Sequence, residues 1–126
     1  MKKSKLLINL ALCLVVLICF SVSVNAETAS VVLDASESSD STDIIGLSDY
    51  VNYEAANSPN SLFSVYATVH RSFPGKGWSK ERESLMAKGT GSKGKVTATQ
   101  DANWQLELNP KGWGFIGCEA VGSIWY

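Results

Sequence analysis

The sequence predicts a mainly β protein: a small antiparallel β-sandwich or open barrel that follows a signal peptide and a disordered acidic segment. Three observations carry this. Apolar and polar residues alternate from Phe63 to His70, again around Val96, Ala98 and Gln100, and again at Trp104, Leu106 and Leu108, which is the period-2 signature of half-buried strands. Turns rich in glycine, proline and asparagine separate these runs, as closely spaced antiparallel strands require. Residues 27–60 carry seven acidic side chains and no Lys or Arg, whereas 61–126 carry eight basic and five acidic ones.

The first 26 of the 126 residues have the three-part layout of a secretory signal. Lys2, Lys3 and Lys5 precede an apolar run over 6–20 that only Asn9 interrupts. Val24-Asn25-Ala26 then places small residues where a signal peptidase needs them, so cleavage is predicted between Ala26 and Glu27. The alternative is an uncleaved anchor, but a spanning helix wants about 20 apolar residues, and Ser21 and Ser23 soften this shorter run. Leu12 and Ile18 precede Cys13 and Cys19, where a lipoprotein site would need a small residue. The expected product is therefore secreted, without lipid and without an anchor. It keeps one thiol, Cys118, which cannot form an internal disulfide and is expected to be buried as a small apolar side chain.

Within 27–60, the tract Ser36-Glu37-Ser38-Ser39-Asp40-Ser41 and the one-signed charge predict an acidic linker or pro-segment without stable structure. Ile44, Leu47 and Val51 interrupt it at helical spacing, with Asp43 available as an N-cap, which predicts a short docking helix. The β-domain is expected over 61–126. Its first strand covers 63–70 and stops at Phe73-Pro74-Gly75-Lys76-Gly77; 82–88 fits either a helix or a strand; 89–94 is a glycine-rich loop. Two strands around a turn at Asp101-Ala102-Asn103 come next, then a turn at 109–112 and a last segment in which Ile116, Cys118 and Ala120 share one alternating set.

Motifs for chemistry are sparse. Residues 89–95 fit the phosphate-loop pattern G-x-x-x-x-G-K, but Val96 stands where the metal-binding Ser or Thr is needed, and the β-patterned 96–99 replaces the required helix. Lys111-Gly112-Trp113-Gly114-Phe115-Ile116 resembles the first RNA-binding motif of cold-shock domains, in which strand aromatics stack on bases. That family continues with further aromatic-bearing strands, which this sequence does not supply, and export removes the setting; no nucleic acid is expected as a partner. His70 is the single histidine, and it lies on a polar strand face without a G-x-S-x-G turn elsewhere. A Cys118–His70 pair or a carboxylate set among Asp101, Glu107 and Glu119 would be needed for a small hydrolase. One His and one Cys after residue 26 give no metal-ligand spacing, and no cofactor is expected.

The tryptophans give the stronger signal. Trp78, Trp104, Trp113 and Trp125 all lie in the last 49 residues. Trp78 and Trp113 adjoin glycine-lysine turns, so they and their neighbours Lys76 and Lys111 are the candidate binding residues. The sequence thus leads to a secreted, non-enzymatic binding or interaction domain for a cell-wall polymer, a membrane surface or a protein receptor. A toxin or bacteriocin-like precursor, masked by its acidic segment, is the alternative; a small hydrolase is the second.

Overall fold

The computed structural model describes residues 27–112 and 114–126; the expected signal and its cleavage residue Ala26 lie outside this range, as does Trp113. Seven strands form one antiparallel sheet: β1 (Thr28–Leu33), β2 (Asp40–Ser41), β3 (Ile45–Asn57), β4 (Val65–Ser72), β5 (Trp78–Met86), β6 (Gly91–Pro110) and β7 (Ala120–Trp125). They run in the order β1-β7-β3-β6-β4-β5, with β2 added beside β6. The domain is mainly β and the sheet is not closed, in agreement with the expected small sandwich or open barrel.

β6 determines the shape. A straight strand of its 20 residues would be about 66 Å long at 3.3 Å per residue, which no domain of this size can hold. It bends instead. Gly91 to Thr97 pair with β3, while Asn103 to Pro110 pair with β4. Between these stretches β6 bulges, because Ser48 faces Ala102 whereas Tyr50 already faces Thr97. Such a bulge increases local twist and lets one strand pass between two layers. The expected turn at 101–103 is this bulge, and the strand runs on through it.

The layers close on Val51, Tyr53 and Ala55 of β3, Val65, Ala67 and Val69 of β4, Trp104, Leu106 and Leu108 of β6, and Ile124 of β7. The alternation predicted for β4 and for 104–108 holds. Val65, Ala67 and Val69 face inward, with Tyr66 and His70 on the other side. Two turns use glycine for its positive φ: Gly75 (φ 75°) and Gly89 (φ 73°) each sit third in a four-residue turn, closed by Lys76 N–H to the Phe73 carbonyl and by Thr90 N–H to the Ala87 carbonyl. This is the type II requirement.

Three further expectations are corrected. Residues 27–60 are not a disordered linker: they supply β1, β2 and β3. Val31, Leu33, Ile45, Val51, Tyr53 and Ala55 enter the core while Asp34, Glu37, Asp49 and Glu54 stay at turns or on the outer face. Burial here comes from strands distant in sequence, which local composition does not reveal. The helix expected at 44–53 is strand β3 from Ile45 onward; of the residues at helical spacing only Val51 is buried, while Ile44 and Leu47 are exposed beside a stretch where the register shifts. Ile116 is exposed, because 115–119 is irregular and β7 begins only at Ala120. The ambiguous 82–88 segment belongs to strand β5 up to Met86, and Cys118 is fully buried, as expected.

Candidate functional site

The outer face of the β1-β7-β3-β6 layer is ordered in rows. Strand register places Val32, Val121, Ala56 and Gly91 side by side across four strands. Two residues along lies the row Ser30, Ser123, Glu54 and Lys93, and next to it Thr28, Trp125, Asn52 and Lys95. All point away from the core, since the intervening Val51, Tyr53 and Ala55 point into it. Tyr50 continues the face, with the Lys95 ammonium 4.5 Å from its ring centroid, a cation–π contact.

Small side chains make the first row a depression. Two cavities of about 210 and 290 Å³ adjoin there, and both are lined by Ala56 and Gly91. One continues past Pro59, Thr90 and Glu119, the other past Glu54 and Lys93. Gly91 is fixed by packing, because a Cβ on it would stand 2.7 Å from the Ala55 carbonyl oxygen. Together the cavities form one open groove with a small-residue floor and a rim carrying both charges.

Beneath the groove, a polar cluster joins the two layers. Tyr53 Oη lies 3.1 Å from Ser92 Oγ and 3.2 Å from Ser84 Oγ on β5. Burial pushes the Tyr53 phenol up, but hydrogen bonds from Ser84, Ser92 and Arg82, with the Arg82 charge, outweigh it and hold the phenol below its ordinary value. Arg82 has room because Gly94 has no side chain: a Cβ there would lie 2.8 Å from its Nη1.

The residues singled out from the sequence do not form one site. Lys76 and Trp78 are exposed at the β4–β5 turn. Lys111 is exposed at the far end of β4, its N–H donating to the Ser64 carbonyl. The eight residues of β4 separate these ends by roughly 25 Å. Leu62, Phe115 and Ile116 are exposed apolar side chains in the segments next to Lys111, where the Leu62 N–H donates to the Gly117 carbonyl. Glu27 is exposed; its carboxylate accepts from the Gly46 N–H at 3.0 Å and its carbonyl from the Tyr126 N–H. Of the other two tryptophans described, Trp104 is fully buried and Trp125 half-buried on the outer face. Ala56, Gly91 and Val121 were not legible as site residues, since small side chains carry no chemistry of their own.

His70 and Cys118 are apart. The His70 ring lies on the outer face, 3.4 Å from Glu107, whereas the Cys118 thiol is buried and donates to the Phe63 carbonyl near the other end of β4. Among the described residues no group of three or more His, Cys, Asp or Glu is placed to hold a metal ion, and no helix is long and apolar enough to cross a membrane.

No family model matches the chain, and no curated protein does. Among solved structures, the crystal structure of Yersinia pseudotuberculosis-derived mitogen (YPM) is similar over 80% of this chain and 84% of that one, with 11% identity and a TM-score of 0.47.

Proposed function

We propose that this protein is a secreted, non-enzymatic binding domain that takes a cell-envelope polymer along its outer-face groove. The observation that carries the proposal is that two adjoining cavities share Ala56 and Gly91 in their linings. A groove open along its length suits a chain molecule, whereas small-molecule sites enclose most of their ligand. Its walls offer an acceptor and a donor at Glu54 and Lys93, and further along the same face stand an amide at Asn52 and an aromatic ring at Trp125. These groups orient a polar ligand and stack on its apolar faces.

Export by residues 1–26 supports the choice of partner, because envelope polymers are what an exported domain meets. The separation of His70 from Cys118 supports a binding role over hydrolysis by a thiol and its base. Co-sedimentation of the protein beginning at Glu27 with purified insoluble cell-wall polymer tests the proposal. Retention that soluble fragments of the same polymer displace is expected; absence of retention on walls from several envelope types would overturn it.

A further inference from the structure

We infer that the groove recognises an N-acetylated polysaccharide, an inference that rests on the binding role proposed above and names its ligand class. An acetamido group has one N–H donor, one carbonyl acceptor and a methyl group. The outer face offers the complement of all three within two adjacent rows. Glu54 and Lys93 face each other in register on neighbouring strands, so their Cα atoms stand about 5 Å apart and a carboxylate acceptor and an ammonium donor leave the same face side by side. Immediately beside them, Ala56 and Gly91 leave the depression, and Val121 with the exposed Val32 extends it as an apolar strip.

An amide laid across the two rows accepts from Lys93, donates to Glu54, and places its methyl over Ala56. The pair has no net charge, so it gives no strong pull on an anionic or a cationic ligand, whereas a neutral amide uses both members at once. The sugar ring itself needs a flat apolar partner and a side-chain amide, and the third row has Trp125 next to Asn52. The class that matches is therefore a neutral glycan with repeated acetamido groups.

The test measures binding of two oligosaccharides of equal length and linkage, a β-1,4 N-acetylglucosamine oligomer and a β-1,4 glucose oligomer, to the protein beginning at Glu27. The acetylated oligomer is expected to bind at least about tenfold more tightly, the effect of one well-made polar contact left unpaired in its competitor. Glu54→Gln and Lys93→Ala, both outer-face changes that leave the melting temperature unaltered, should each erase most of that preference. Equal binding of the two oligomers, or retention on whole wall polymer with no binding of the acetylated one, would overturn the ligand class and leave the groove's binding role standing. Failure to bind either oligomer or any wall polymer would overturn both.

Discussion

The hydroxyl of Tyr53 on β3 lies 3.2 Å from the hydroxyl of Ser84 on β5, joining strands that the sheet order separates by β6 and β4. The contact exists because the sheet folds over along β6. Replacing Tyr53 by Phe removes this link and leaves Ser84, Ser92 and Arg82 without their shared acceptor. The expected cost is about 1–2 kcal/mol in denaturant unfolding near neutral pH.

The same tyrosine predicts an alkaline signature. Its phenol is held below its usual value of about 10, so the folded state releases that proton before the unfolded state does. The stabilisation this gives is complete above the unfolded value and is lost as pH falls through the folded one. The stability gap between wild type and Tyr53→Phe should therefore widen as pH rises towards 10. Tyr126 behaves oppositely: burial, with the charge of Glu27 and a hydrogen bond to it, raises its phenol, so its contribution fades as pH climbs beyond 10. Tyrosinate absorbance should show the earliest-ionising tyrosine missing from Tyr53→Phe. Its persistence in that variant would contradict the assignment.

Trp104 is fully buried, and its indole N–H donates to the Ser48 carbonyl at 2.9 Å, at the point where the β3–β6 register shifts. Trp104→Ala should cost about 3–5 kcal/mol through its cavity. Trp104→Phe keeps most of the volume but leaves that carbonyl unpaired, for about 1–3 kcal/mol. Equilibrium unfolding of both variants measures the difference.

Those two residues also show what the sequence conveys. Trp104, Leu106 and Leu108 alternate cleanly, so their strand is legible, as is β4. β3 is not legible, because its inward set includes Tyr53, Ala55 and Asn57, none of which stands out by hydropathy, and its bulges break the alternation. β1 and β3 lie in a stretch whose acidic composition suggests disorder until their non-local partners β7 and β6 are seen. The groove is hidden for another reason. Its floor comes from Ala56, Gly91 and Val121, on three strands that only the register brings together.

Since β3 pairs with both β6 and β7, a chain beginning at Ser61 should fail to fold. It would lose Val31, Leu33, Ile45, Val51, Tyr53 and Ala55 from the core. Circular dichroism should show no cooperative melting. A cooperative transition in that fragment would restore the view of 27–60 as a removable pro-segment.

Cys118 is fully buried, and buried apolar surroundings keep a thiol inert. In the protein beginning at Glu27, a thiol-specific chromogenic reagent should leave it unmodified in native buffer and label one equivalent in denaturant. Rapid native labelling would place the thiol at the surface and contradict the packing described for 115–119.

Ala56→Arg fills the groove from the outer face without entering the core, whereas Trp78→Ala removes an exposed ring at the far end of the domain. Isothermal titration of solubilised wall polymer into the protein beginning at Glu27 and into these two variants tests groove binding most directly. Binding should be retained by wild type and by Trp78→Ala, and should weaken at least about tenfold in Ala56→Arg with an unchanged melting temperature. Equal affinity of Ala56→Arg and wild type would contradict it.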